Sequence, residues 1–173
     1  MDGRPTAIRS ATRDKPHITP EWDVVRDGID GVRAREVKHV VTANGHTTEL
    51  FRTDWGLVEN EVLAMIHVTL RPNAVSAWHM HKIKTDHLFV VAGTLRLVLY
   101  DDREDSPTRG KLDVLNLSAM RPTLTVIPPG VWHGIQAFAE PASFVNFFDQ
   151  AYDYSDPDDW RLPPDSDEIP FRF

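Results

Sequence analysis

Short runs of alternating apolar and polar residues recur about every ten residues along the chain, and glycine, proline or asparagine closes most of them. Residues 61–70 show this pattern clearly, because Val62 and every second residue after it are apolar and a proline-containing turn follows. Residues 94–100 repeat it, with alternate leucines on one face. No segment keeps a sustained helical period, so the chain is predicted to be all-β, without βαβ units.

Further strands are predicted on both sides of these two runs, at residues 37–41, 48–55, 78–81, 86–92, 112–117, 123–127 and 142–148. Asn44-Gly45 is a tight-turn signal between the first two of them. Several strands are apolar on both faces. This is typical of a two-layer sandwich whose outer face is also covered, for example by a second subunit.

Composition and charge exclude several classes of protein. The 173 residues suffice for one domain with its own core, and the chain has no cysteine, which excludes disulfides, thiolate metal sites and thiol nucleophiles. The net charge is −7 and the basic residues are scattered, which argues against nucleic-acid binding. No apolar run approaches the ~18 residues of a membrane span and no signal segment is visible, so we expect no membrane association and a cytoplasmic location.

The chain divides into three predicted parts. Residues 1–21 are polar and contain several prolines, and we expect a flexible N-terminal arm there. Residues 22–155 form the β domain. Residues 156–173 are acidic and proline-rich, and their scattered aromatic residues are predicted to pack this C-terminal segment on the β domain.

Four side chains form a candidate metal site. His79 and His81 leave the same face of a strand, Asp86 begins the next predicted strand, and His133 follows a Pro-Gly turn. Two strand histidines, a carboxylate and a distant histidine are the usual ligands of a single divalent transition metal such as Fe, Mn, Ni or Zn. The alternative is a polar interior in which the histidines are hydrogen-bonded and hold no ion. No organic cofactor is indicated.

The spacing of these residues resembles the cupin signature, in which G-x5-H-x-H-x4-E-x6-G and G-x5-P-x-G-x2-H-x3-N bring three histidines and a glutamate around one metal. The first motif is matched by Asn73, His79, His81, Asp86 and Gly93, and the second by Pro122, Pro128, Gly130, His133 and Ala137. Aspartate replaces glutamate, and the leading glycines and the final asparagine are missing. The resemblance implies an all-β, double-stranded β-helix (jelly-roll) cupin.

Within the cupin superfamily, residues 32–171 resemble the dTDP-4-dehydrorhamnose 3,5-epimerases. Residues 101–110, DDREDSPTRG, are similar to the family's D-x-R-x-x-S-P-T-x-G loop, and residues 127–135, IPPGVWHGI, to its I-P-x-G-x-x-H-G-F turn. The resemblance implies a small-molecule substrate, a sugar nucleotide. It also implies a homodimer in which N-terminal strands cross to the partner.

Candidate substrate contacts follow from the same resemblance. Residues 44–51 are similar to the family's R-G-x-x-x-E-x-F element, which implies contacts from Glu49, Phe51 and the following Arg52. Trp78 and His133 are further candidates beside the strand histidines. For Trp78, a place in the core or at the rim of the pocket is the simpler interpretation.

The family's catalytic residues carry over only in part. His79 matches the histidine that removes protons next to a ketone, and Asp165 or Asp167 matches the carboxylate that steers it. Other family positions are changed: Arg to Asn44, Arg to Ser76, Gln to His81, Lys to Asp86 and Tyr to Asn146. Asn146 is predicted to line the pocket, because an amide can bind an oxyanion but cannot give up a proton.

These changes leave several functions open. A metal can replace the lysine as a Lewis acid, but His79 is then either a ligand or a base, since a ligand histidine is not free to take a proton. The leading expectation is an isomerase that moves protons α to a carbonyl on a keto-deoxysugar nucleotide, with a 3,4-ketoisomerase as a close variant. The alternatives are an Fe(II)- or Mn(II)-dependent dioxygenase and a non-catalytic small-molecule-binding cupin.

Overall fold

A computed structural model describes residue 12 and residues 14–173, and their regular structure is almost entirely β-strand. The strands are β1 (Arg33–Glu36), β2 (Val40–Thr42), β3 (Gly45–Thr47), β4 (Ala64–Leu70), β5 (Val75–Met80), β6 (Asp86–Ala92), β7 (Thr94–Asp101), β8 (Leu112–Ser118), β9 (Thr123–Ile127), β10 (Val131–Ala137), β11 (Ala142–Phe148) and β12 (Trp160–Arg161). One 3-10 turn spans Thr53–Trp55. Within this described part of the chain, no helix has the length and apolar character needed to cross a membrane.

Two five-stranded antiparallel sheets pack against each other. Sheet I has the strand order β1-β9-β6-β11-β4, and sheet II the order β12-β5-β10-β7-β8. Their inner faces share one core, to which sheet I contributes Leu88, Val90 and Phe144 and sheet II contributes Leu95 and Leu97. From β4 to β12 the chain passes to the other sheet after every strand except β7, which is the connectivity of a jelly roll. The predicted all-β fold is confirmed.

The period-two pattern of the sequence places most core side chains correctly. The alternate leucines of β7 are fully buried, as the run at residues 94–100 predicts. The Asn44-Gly45 turn does join two paired strands, β2 and β3. The predicted strand at residues 48–55 is wrong: this segment is irregular, and Leu50, Phe51 and Trp55 pack on the outer face of sheet I.

A bulge in β5 interrupts the alternation where the histidines begin. His79 lies opposite His133 and Ser76 lies opposite Ile135, so two consecutive residues, Ala77 and Trp78, occupy the space opposite Gly134. The extra residue lets Ser76 and His79 face the same cavity while Trp78 is buried on the other side of the sheet.

The C-terminal segment lies along the edge of sheet II. Its two-residue strand β12 pairs with the end of β5, with Arg161 opposite His79. Farther on, Ile169 and Phe173 pack against Trp78 on the outer face of the sheet. Most of the predicted N-terminal arm, residues 1–11 and 13, lies outside the described residues.

Candidate functional site

A cavity of about 400 Å³ opens between the two sheets. Apolar side chains line part of it, among them Ile66, Val68, Leu88, Ile127, Ile135 and Phe144. Polar side chains also line the cavity, namely Ser76, His79, His81, Lys84, Asp86, His133, Asn146, Tyr152, Tyr154, Asp159 and Arg161. An apolar pocket with a few convergent polar groups is the usual form of a small-molecule site.

Three of the polar side chains meet at one point. Nε2 of His81 is 3.3 Å from Oδ2 of Asp86, and Nε2 of His133 is 3.4 Å from the same oxygen. All three side chains are buried. Among the described residues, they are the group of histidine and carboxylate side chains whose ligand atoms lie close enough, within 4.8 Å, to share one metal ion.

Outer hydrogen bonds fix the orientation of these three groups. Nδ1 of His81 donates to the backbone oxygen of Asp158 across 2.5 Å, and Nδ1 of His133 donates to the backbone oxygen of Val131 across 3.2 Å. A carbonyl only accepts, so in the neutral ring Nε2 carries no proton and presents its lone pair to the cavity. Oδ1 of Asp86 accepts a hydrogen bond from the Asn146 amide across 2.8 Å.

His79 lines the same cavity but has different partners. Its Nε2 accepts a hydrogen bond from the Arg161 guanidinium across 3.1 Å and lies 3.3 Å from the Ser76 hydroxyl. Burial, together with the nearby His133 and Arg161, lowers the pKa of His79 to about 4. The ring is therefore neutral near pH 7, with an unprotonated nitrogen beside a fixed positive charge. Burial also lowers the pKa of His133.

Residues 27–169 match the family model of dTDP-4-dehydrorhamnose 3,5-epimerase. The chain belongs to this family. A probable low-salt glycan biosynthesis epimerase of Haloferax volcanii, Agl13, is 37% identical over 79% of this chain and 89% of its own length. The spore coat polysaccharide biosynthesis protein SpsL of Bacillus subtilis is 34% identical over 84% of this chain and 96% of its own.

A solved structure has the same fold. The crystal structure of a dTDP sugar isomerase from Desulfovibrio desulfuricans superimposes with a TM-score of 0.77, at 30% identity, over 83% of this chain and 90% of that one. The family assignment covers both sheets and the cavity between them. The resemblance found in the loop at residues 101–110 and the turn at residues 127–135 is thereby confirmed at the level of the family.

The structure brings some of the family-derived site residues to the cavity. His79, His81, Asp86, His133 and Asn146 all line it. The Asn146 amide, which the resemblance aligns with the family tyrosine, is hydrogen-bonded to Asp86 and is not free. Its carbonyl oxygen accepts a hydrogen bond from the backbone N–H of His87.

Other predicted residues lie elsewhere in this chain. Trp78 is fully buried under Phe171 and Phe173, so it is a core residue and not a substrate contact. Asp165 is exposed and outside the cavity, and so is Asp167, which pairs with Arg172. A steering carboxylate for His79 is not found at either position.

The three residues of the R-G-x-x-x-E-x-F element are also outside the cavity of their own chain. Phe51 packs against Phe147 on the outer face of sheet I, at a ring distance of 5.0 Å. Arg52 forms ion pairs with Glu49 and Asp54 on the surface. These three side chains are therefore no part of the cavity wall that this chain forms by itself.

The C-terminal segment supplies site residues that the sequence analysis did not single out. Arg161 contacts His79, and Oδ1 of Asp159 lies 3.2 Å from Nδ1 of His81 and 3.4 Å from Nζ of Lys84. Asp158 accepts hydrogen bonds from the backbone N–H groups of residues 82–84 and so fixes the loop between β5 and β6. The only sequence signal was a short acidic stretch before Trp160, which has no strand period.

Proposed function

We propose that the chain epimerises a 4-keto-6-deoxyhexose carried on a nucleoside diphosphate, by proton transfer at a carbon next to the ketone. The observation that supports this most directly is His79, a neutral imidazole in the cavity of a chain that belongs to the 3,5-epimerase family. The similarity to the dTDP sugar isomerase of Desulfovibrio desulfuricans supports a thymidine diphosphate as the carrier of the sugar.

In this proposal Nε2 of His79 removes the proton. The C–H bond breaks, its electron pair forms a C=C bond, and the negative charge moves to the carbonyl oxygen as an enolate. Without substrate, the Nε2 lone pair of His79 accepts a hydrogen bond from the Arg161 guanidinium. A substrate oxygen that takes over this hydrogen bond frees the lone pair to accept a proton. The guanidinium, which lies beside His79, then stabilises the developing charge.

Inversion also needs a proton delivered to the opposite face of the enolate. Asn146 cannot supply it, since an amide does not give up a proton at neutral pH. Tyr152 and Tyr154 are the phenols among the residues that line the cavity, and their rings contact each other at 5.0 Å. We assign the donor role to Tyr152, the less exposed of the two.

The protein is proposed to act as a homodimer. The β2–β3 hairpin pairs with no other described strand and exposes Val40 and Val41, and a lone two-stranded hairpin is marginally stable in water. Glu49 and Arg52 follow this hairpin directly. In a dimer they would approach the cavity of the other subunit, as substrate contacts. Light scattering after gel filtration measures the mass, and a monomer at micromolar concentration would contradict this part of the proposal.

Solvent exchange tests the reaction itself. The protein is incubated in D₂O with a dTDP-4-keto-6-deoxyhexose, and deuterium at C3 and C5 is followed by NMR. We expect exchange by the wild type and a fall of about 10²- to 10⁴-fold for His79→Asn. His67→Asn is the matched control, because His67 lies exposed on the outer face of β4. Absence of exchange above the rate without protein would reject the epimerase function.

A further inference from the structure

We infer that His81, Asp86 and His133 bind one divalent transition-metal ion, with His79 outside the ligand set. The inference concerns the cavity of the proposed epimerase. It does not require that activity, because metal binding is measured on the resting protein.

The distances fit three ligand atoms around one ion, since all three lie within 4.8 Å of one another. Three lone-pair donors that face one point repel one another unless a cation lies between them. Ligand atoms bound at about 2.1 Å around a four-coordinate ion stand about 3.4 Å apart. The separations from Asp86 Oδ2 to the two Nε2 atoms are 3.3 and 3.4 Å.

A proton is the competing cation. It can join Asp86 to one imidazole, but the second imidazole then still presents a lone pair to the carboxylate. Both rings already donate from Nδ1 to backbone oxygens, so a neutral ring has no further proton to share. A metal ion satisfies all three donors at once.

The outer contacts are those of a metal site. Each imidazole is held at Nδ1 by a backbone carbonyl, and the carboxylate is held by the Asn146 amide. Such partners set the tautomer and aim the ligand atom, and their loss typically lowers metal affinity by about 10- to 100-fold. The three ligands are buried and come from three places in the chain: the residue that follows β5, the first residue of β6, and β10.

The ligand chemistry narrows the choice of ion. Two imidazoles and one carboxylate suit Zn, Fe, Mn, Co or Ni rather than Mg or Ca, and a chain without cysteine offers no thiolate. Three protein ligands leave at least one coordination position open toward the cavity. A bound ion would act there as a Lewis acid toward a carbonyl oxygen, the task of the lysine that the family places at position 86.

His79 remains outside this set for a geometric reason. Its Nε2 is turned to Arg161 and Ser76, and its hydrogen bond from the guanidinium occupies the lone pair that an ion would need. The four-ligand set expected from the sequence is therefore reduced to three, and the roles of ligand and base fall to different histidines.

Metal binding to the purified, chelator-treated protein tests the inference. Zn²⁺ and Co²⁺ are titrated by calorimetry, and the visible absorption of bound Co²⁺ reports the ligand geometry. We expect about one ion per chain in the wild type and in His67→Asn. In Asp86→Asn, which keeps the volume and an acceptor for Asn146, affinity should fall by at least about tenfold, and His81→Ala should behave alike.

Two further measurements separate a loss of the metal site from a loss of the base or of the fold. His79→Gln should bind one ion as tightly as the wild type even where exchange is lost, which separates the metal site from the proposed base. Thermal unfolding of each ion-free variant confirms that it folds, and Zn²⁺ should raise the melting temperature of the wild type but not of Asp86→Asn. A wild type that binds neither ion, or an unchanged affinity in both Asp86→Asn and His81→Ala, would overturn the inference.

Discussion

The Arg161 guanidinium donates a hydrogen bond to Nε2 of His79 across 3.1 Å, and the two residues lie directly opposite each other on the paired strands β12 and β5. The strand pairing thus joins the C-terminal segment to the proposed base. Because β12 is only two residues long, this contact depends on the backbone hydrogen bonds of Trp78 with Leu162 as well.

The first prediction concerns this arginine. Arg161→Gln removes a positive charge beside the reacting carbon, and we expect kcat for deuterium exchange to fall by about 10²-fold while KM changes less. The measurement is the kcat and KM of exchange, followed by NMR. Arg172→Gln is the matched control, since Arg172 pairs with Asp167 outside the cavity. An equal loss of kcat in both variants would contradict the assignment of charge stabilisation to Arg161.

A second prediction concerns Asp101, which is completely buried at the end of β7. Burial opposes its ionisation, but hydrogen bonds from Arg103, Ser106 and Thr108 outweigh burial and hold the pKa of Asp101 well below its usual range. Asp101→Asn should therefore lower the free energy of unfolding at pH 7 by about 2 kcal/mol. Urea unfolding measures this difference.

The same carboxylate gives a pH dependence of known sign. Its pKa is lower in the folded than in the unfolded chain, so its contribution to stability is fully present above about pH 5 and is lost as the pH falls through the unfolded value of about 3.9 toward the folded one. The stability difference between wild type and Asp101→Asn should shrink between pH 5 and pH 3. A constant difference over that range would contradict the assignment.

The third prediction tests the bulge in β5. A methyl group on Gly134 would lie 2.5 Å from the Phe173 ring and 2.6 Å from Cβ of Ala77, so Gly134→Ala should destabilise the fold by about 1–3 kcal/mol. Gly28→Ala is the control, because its methyl group would meet no atom closer than 3.7 Å. We expect that variant to change stability by less than about 0.5 kcal/mol. Thermal and urea unfolding of both variants provide the comparison.

The parts of this fold that depend on strand periodicity could be predicted from the sequence. The inner face of β4 and the common face of His79 and His81 follow from a period of two. The bulge could not be predicted, because alternation alone does not reveal that Ala77 and Trp78 both face away from the cavity. Trp78 therefore remained a candidate substrate contact until the packing of the sheet placed it in the core.

The C-terminal side of the site could not be predicted either. Asp159 and Arg161 reach the cavity through a two-residue strand that follows an acidic, proline-rich stretch, and so short a strand has no period to detect. The resemblance to the family instead predicts a carboxylate at Asp165 or Asp167, and both lie outside the cavity. Asp159 is far from His81 in the sequence, and the two meet only because the C-terminal segment runs along the edge of sheet II. The local sequence around Asp159 does not reveal that path.

The last prediction compares these two aspartates. Asp159→Asn removes the charge that faces Nδ1 of His81 and Nζ of Lys84, so the affinity of the proposed metal site should fall by about tenfold. Asp165→Asn removes a charge of the same kind six residues later, but its exposed side chain is outside the cavity, and metal affinity should not change. Calorimetric titration of Zn²⁺ into both variants decides between them. A lower affinity in Asp165→Asn than in Asp159→Asn would contradict the contact between Asp159 and His81, and with it the path of the C-terminal segment along β5.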